Sequence, residues 1–277
     1  MKYFIPVKIF NKKNITTIML MILLFIILLV HLFYLMHFYS HKKVDVDTFD
    51  NIVLLISHYN EDLSYLDNAP FNRHKQIIYT KGTNPPNCKQ CNSVNQLPNV
   101  GVNVHTYLHY IIENYDHLPE VTVFLSGSCT ESYKIHNTLK TIEMVEKTKN
   151  SVFIVIEQTL DTPKLNHFHL DAYHVANPSN RDLNNDQKMN PSNVRPFGEW
   201  FKTYFGDIDF KHWNHFAIFA VSRDHIRNRS RESYQQLMEL VNKDKNEESA
   251  HFFERAFLYV FHPIPESCLI IEPNTYD

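Results

Sequence analysis

The sequence predicts an α/β fold, a mostly parallel sheet flanked by helices, preceded by one transmembrane helix. Three observations carry this expectation. Short β-branched or aliphatic runs at residues 52–56, 76–80, 121–125, 152–156 and 216–221 alternate with stretches whose apolar residues recur every three or four positions, and strands that alternate with helices pair in parallel. Most of these runs are apolar throughout, as in strands covered on both faces. Residues 15–39, ITTIMLMILLFIILLVHLFYLMHFY, contain no Asp, Glu, Lys or Arg, and they exceed the roughly 20 residues that cross a bilayer core.

The apolar segment ends in bulky residues rather than a small-residue cleavage site, so it reads as a retained signal anchor held by membrane lipid. Lys2, Lys8, Lys12 and Lys13 precede it, whereas Lys42 and Lys43 are offset by Asp45, Asp47 and Asp50. The positive-inside rule then gives a cytosolic tail at 1–14, the anchor at 15–39, a stalk at 40–50 and one lumenal or exterior domain at 51–277. This is the plan of a single-pass type II membrane protein of a secretory-pathway or envelope membrane. A net charge of −3 gives no reason to expect nucleic acid as a partner.

Cys88, Cys91, Cys129 and Cys268 all fall in the domain, where an oxidising compartment would allow up to two disulfides whose pairing the sequence leaves open. Cys88-Lys-Gln-Cys91 sits in Asn- and Pro-rich loop chemistry with no second Cys-x-x-Cys, which argues against zinc or redox use. Asn228-Arg-Ser230 is a glycosylation acceptor if the domain is lumenal.

Along the domain, the strand at 52–56 ends in Ser57-His58-Tyr59-Asn60-Glu61-Asp62, a helical turn follows at 63–66, and the strand at 76–80 is stopped by Lys81-Gly82. Residues 83–98 read as a surface loop. An Asn99-x-Gly101 turn opens a helix with Val104, Tyr107, Leu108, Ile111, Ile112 and Tyr115 on one face. The next strand, 121–125, delivers Ser126-Gly127-Ser128 to its carboxyl end, where open α/β sheets bind ligands. A helix at 132–147, a strand at 152–156 and a long loop at 158–196 come next. Phe197 to Phe205 has helical aromatic spacing, the strand at 216–221 leads to Ser222-Arg223-Asp224, and helices from 231 and at 247–261 close the domain, the last with Glu254 and Arg255 beside its apolar stripe.

Two resemblances follow from these residues. Tyr59-Asn60-Glu61-Asp62, the stretch from Thr106 to Pro119 and Phe219-Ala220-Val221-Ser222-Arg223 resemble the shared motifs of an uncharacterised family, a domain of unknown function, over most of residues 52–262. More distantly, the apolar strand with Tyr-Asn-Glu, the Asn-x-Gly turn and the later strands resemble, in order, inverting enzymes of the glycosyltransferase-A fold. That resemblance implies a sugar nucleotide and a glycan acceptor as partners, with Glu254 in the place of the catalytic carboxylate. It also implies contacts from Asn60, Glu61, Asp62, Asn99, Gly101, Ser126, Gly127 and Ser128. Where such enzymes carry Asp-x-Asp for a divalent cation, this chain has Ser126-Gly127-Ser128, and an expected Asp after the second strand is replaced by Thr80-Lys81-Gly82. The expectation is therefore sugar transfer without that metal site, with no cofactor assignable and Arg195 and Arg223 offsetting phosphate charge.

Each candidate also has a structural reading. Asn60, Glu61 and Asp62 suit a helix cap as well as a ligand. Glu254 could serve as general base or could pair with Arg255 or Arg223. His105, His109 and Glu113 line one helical face, as zinc ligands or as a solvated side, and His167 and His169 read as surface. Arg195, ahead of Pro196 and a helix start, could hold phosphate or stack on Trp200. Three function classes follow: an anchored glycosyltransferase, a non-catalytic glycan-binding or structural protein on the same scaffold, and a zinc hydrolase.

Overall fold

The structure is a computed structural model, and it describes residues 21, 25, 51–89, 91–157, 162–173, 187–214 and 216–273. The chain divides into Met1–Thr48 and Phe49–Asp277. Of the first unit only Met21 and Phe25 are described, both helical and exposed. The expected tail, anchor and stalk thus lie outside the described residues apart from these two, and among the described residues no helix is long and apolar enough to cross a membrane.

The second unit is a mixed α/β fold. Its main sheet has the order β3-β2-β1-β4-β9, built from β1 (Ile52–His58), β2 (Lys75–Thr80), β3 (Ser93–Gln96), β4 (Val121–Ser126) and β9 (Phe219–Ser222). The first four pair in parallel with one another. The strand expected at 216–221 begins later, after a turn in which Phe216 and Ala217 take positive φ, and it runs antiparallel to β4 with Val121 opposite Ser222. A smaller sheet, β10-β5-β8, joins β5 (Phe153–Glu157), β8 (His212–Asn214) and β10 (Leu269–Glu272). It meets the main sheet through paired backbone hydrogen bonds between Val152 and Ala220. In the long segment at 158–196 the described parts hold a short helix, α3 (Thr162–Asn166), and the two-residue strands β6 (Ala172–Tyr173) and β7 (Gln187–Lys188).

Strand alternation divides the core between two layers. Leu55 of β1 and Phe124 of β4 face one way, whereas Ile52, Leu54 and Ile56 of β1 and Val121, Val123 and Leu125 of β4 face the other. The first face receives α1 (Val102–Asn114), α4 (Phe197–Phe205), α5 (Arg223–Ile226), α6 (Arg231–Met238) and α7 (Glu248–Val260); the second receives α2 (Ile135–Thr148) and the turns at Ser64–Asp67 and Phe71–Arg73.

The first layer is the aromatic one. Tyr107 of α1 packs edge-on against Phe124 and Phe219, and its hydroxyl donates to the Ala217 carbonyl at 3.0 Å. Trp200 of α4, fully buried, lies against Phe252 and Phe253 of α7. These contacts fix α1 and α7 relative to the sheet, and both helices carry residues of the site.

Candidate functional site

Parallel pairing brings three strand ends level: Ser57 stands beside Tyr79 on one side and Ser126 on the other, and His58 beside Thr80. His58, buried, shares a 2.9 Å hydrogen bond with the Thr80 hydroxyl through Nδ1 and a 3.1 Å bond with the Glu61 carbonyl through Nε2. The chain after β1 is thereby folded back over the sheet edge. Glu61 Oε2 accepts from the backbone N–H of Tyr59 at 2.6 Å and of Asn60 at 3.2 Å. A side chain on Gly127 would come within 2.7 Å of that same oxygen, so the missing Cβ is what lets the carboxylate lie across the end of β4.

Opposite stands the start of α1. Gly101 adopts φ +56°, and a Cβ there would overlap the Val241 carbonyl oxygen, which is why the Asn-x-Gly turn takes glycine. Val102 follows at φ 48°, a left-handed conformation that costs a β-branched residue about 1–3 kcal/mol. The Lys81 ammonium, reaching across from the end of β2, donates to the Val100 carbonyl at 2.6 Å and to that of Val102, and so secures the strained turn. Burial pushes the Lys81 pKa down to about 7. Beside it, His105 is held to about 4 by burial and then by Lys81 and His109, on whose ring it stacks.

Between these walls lies a recess of about 460 Å³, counted out to its open mouth, with Tyr59, Glu61, Lys81, Asn99, Asn103 and Lys245 among its lining. On the far side of Gly127, the Lys134 ammonium donates to the Ser128 hydroxyl at 2.7 Å, and the Tyr65 hydroxyl donates to the Gly127 carbonyl at 3.1 Å. Burial lowers the Lys134 pKa against the opposing pull of Glu254, Cys129, Glu61 and Glu131. Glu254 of α7 therefore shares its electrostatic surroundings with the end of β4. Among the described residues Glu254 makes no hydrogen bond or ion pair; Arg255 instead donates to the His251 carbonyl at 2.8 Å and lies over the Phe168 ring.

The sequence candidates thus fall into two groups. Glu61, Ser126, Gly127 and Ser128 meet at the ends of β1 and β4, Asn60 turns to the loop after β2, where its amide oxygen accepts from Asn84 N–H at 3.2 Å, Asn99 and Gly101 stand across the recess, and Glu254 approaches from the Lys134 side. Asp62 points outward, where its carboxylate accepts from Ser64 N–H and the Asn87 amide. Arg195 does not stack on Trp200: it pairs with the fully buried Glu248 at 2.9 Å and with Asp171 at 2.8 Å. Because β9 is antiparallel, Arg223 sits at the opposite end of the sheet, its backbone N–H on the Glu120 carbonyl and its Nε on that of Pro119.

Asn228 is exposed, but its side-chain amide donates to the Phe261 and Pro263 carbonyls, each at 3.1 Å. His167 and His169 are exposed. Among the described residues no three His, Cys, Asp or Glu side chains are grouped to hold a metal ion. Cys88 and Cys91 form a disulfide, and Cys129 and Cys268 are buried free thiols.

Lys81 and Lys134 were not among the sequence candidates. Lys81 was legible only as the residue standing where a carboxylate was expected, and Lys134 carried no local signal. Together they decide the donor chemistry. Ser126 and Ser128 offer hydroxyls where an Asp-x-Asp motif offers two carboxylates, and the Lys134 ammonium, 2.7 Å from the Ser128 hydroxyl, sets a positive charge beside them. The residues present do not fit an Asp-x-Asp type of metal site.

A largely parallel main sheet flanked by helices, its strand ends beside a polar recess, makes this a mixed α/β domain. The chain belongs to the family described as Protein of unknown function (DUF3431), whose model matches residues 53–274. No curated protein matches the chain.

Proposed function

We propose that the domain is a membrane-anchored glycosyltransferase-like enzyme that binds a sugar nucleotide in the recess between β1, β2 and α1 and transfers the sugar to a glycan acceptor without an Asp-x-Asp metal site. The observation that carries the reading is the convergence of Tyr59, Glu61, Lys81, Asn99 and Asn103 on one recess at the strand ends, the place where α/β sheets bind nucleotides. Asn and backbone groups there suit the nucleoside, and the Ser126-Gly127-Ser128 turn beside it suits the diphosphate. Glu254 would take the proton of the acceptor hydroxyl as its oxygen bonds to the anomeric carbon and the bond from that carbon to the phosphate oxygen breaks, releasing a nucleoside diphosphate. General-base assistance of this kind is worth about 10²–10⁴ in rate.

Residues 15–39 as a signal anchor would set the domain in a lumen or outside the cell, where glycan acceptors occur. Calorimetry of the full-length chain with uridine and guanosine diphosphate sugars in the presence of EDTA tests the reading. Heat of binding that survives chelation is expected, and silence across the panel would overturn it. Glu254→Gln should bind as wild type or tighter while transfer falls at least a hundredfold.

The alternative is a glycan-binding protein that retains the scaffold and not the chemistry. It is favoured by the lone carboxylate on the acceptor side and would appear as glycan binding with no turnover.

A further inference from the structure

Within that reading, the ligand's phosphates need a counterion, and neither arginine assigned to them reaches the strand ends: Arg195 is engaged by Glu248 and Asp171, and Arg223 lies at the opposite edge of the sheet. The position a bound cation would take, against the turn after β4, already holds a positive charge. The Lys134 ammonium lies 2.7 Å from the Ser128 hydroxyl, and Ser126 and Ser128 place their hydroxyls side by side at 3.5 Å.

Lys134 is delivered there by the fold. Residues 126–134 turn back on themselves through Cys129 N–H to Ser126 O and Lys134 N–H to Glu131 O, and α2 begins at the next residue. The carboxylates that bear on the ammonium are Glu61, Glu131 and Glu254. Of these, Glu61 is tethered to two backbone N–H groups on its own loop, and Glu254 has no ion-pair partner among the described residues. Among the described residues the close partners of the ammonium are the Ser128 hydroxyl and the Tyr133 ring, whose centroid lies 5.3 Å away, rather than a carboxylate.

We infer that the Lys134 ammonium, with the Ser126 and Ser128 hydroxyls, is the built-in countercharge that receives the diphosphate of the ligand in place of a divalent cation. The inference rests on the nucleotide reading of the recess. A fixed ammonium recognises phosphate as a point charge, so the site should discriminate by the number of phosphates rather than by metal.

The experiment compares uridine, UMP and UDP, and guanosine with GMP and GDP, on the full-length chain in EDTA, for wild type, Lys134→Met and Lys134→Arg. Wild type should prefer the diphosphate to the nucleoside by tenfold or more. Lys134→Met should erase most of that preference without changing nucleoside affinity, and Lys134→Arg, which keeps the charge, should retain most of it. Unchanged diphosphate preference in Lys134→Met, or wild-type binding that appears only on adding magnesium or manganese, overturns the role of Lys134 and leaves the recess as a nucleotide site. Failure of every nucleotide to bind wild type overturns the nucleotide reading, and this inference with it. Thermal unfolding and nucleoside affinity of Lys134→Met that match wild type separate loss of charge from loss of fold.

Discussion

Acid should unfold this domain through histidines that are buried uncharged. His251 on α7 is held down to about 3 by burial and the nearby Arg255, and His105 on α1 to about 4 by burial, Lys81 and His109. In the unfolded chain both titrate near 6.5. The unfolded state then binds more protons than the folded one as pH falls below 6.5, so stability is lost on acidification, down to pH of about 4 for His105 and about 3 for His251. Between pH 7 and pH 5 each residue contributes a loss of about 2 kcal/mol, or about 4 kcal/mol together, a large part of the 5–15 kcal/mol typical of a domain.

His58, His74, His109 and His225 are shifted the same way by burial and add to the effect. Urea unfolding followed by circular dichroism at pH 7 and pH 5 measures it. Wild type should lose at least about 4 kcal/mol, and His251→Gln, whatever its stability at pH 7, should lose about 2 kcal/mol less than wild type over the same interval. An identical pH dependence in wild type and His251→Gln would refute the reasoning, because the charge would then be accommodated without cost.

Three further outcomes are expected. Lys81, folded at about 7 and unfolded near 10.4, makes stability rise with pH across that window by at most about 1.4 kcal/mol per unit, and Lys81→Met should flatten the rise in denaturation midpoints measured at pH 7, 8 and 9. Gly101→Ala forces a Cβ into the Val241 carbonyl at φ +56° and should cost at least about 2 kcal/mol by chemical denaturation, with weakened binding at the recess. Trp200→Ala empties a site packed by Phe197, Phe252 and Phe253 and should cost about 3–5 kcal/mol, read as a fall in melting temperature.

The sequence was legible where local periodicity and burial agree. β1, β4, α1 and the helix ending in Phe261 follow from their apolar spacing, and the Ser-Gly-Ser turn from its place after a buried strand. β3 was invisible because Ser93-Val-Asn-Gln96 is a polar edge strand, held by pairing with β2 alone and largely exposed. β8 and β10 are three and four residues long and owe their extended form to β5 between them. The direction of β9 is a tertiary choice, and with it went Arg223: the same residues in a parallel strand would have delivered that arginine to the recess. The place of Arg195 was hidden for another reason, since its partner Glu248 is a fully buried carboxylate more than fifty positions away. That carboxylate also accepts from Leu170 and Ser192 backbone N–H groups, each at 2.8 Å, so the arginine ties the segment before α4 to the start of α7 instead of meeting a ligand.

The charges at the strand ends make opposite demands on two substitutions. Lys134 attracts the phosphates of an anionic ligand and Glu254 repels them, and each acts on the other within one low-dielectric region. Removing the Glu254 charge with glutamine, which preserves shape, should therefore tighten diphosphate binding by about 0.5–1.5 kcal/mol, roughly two- to tenfold, at the same time as it abolishes transfer. A carboxylate present only to brace α7 would give neither effect, and one that ligates the sugar directly would weaken binding on removal. Measured by calorimetry in EDTA with UDP and with a uridine diphosphate sugar, tighter UDP binding in Glu254→Gln combined with weaker UDP binding in Lys134→Met places both groups around one anion, whereas a loss of affinity in Glu254→Gln for the sugar nucleotide that UDP does not share would place Glu254 on the sugar and remove it from the role of base.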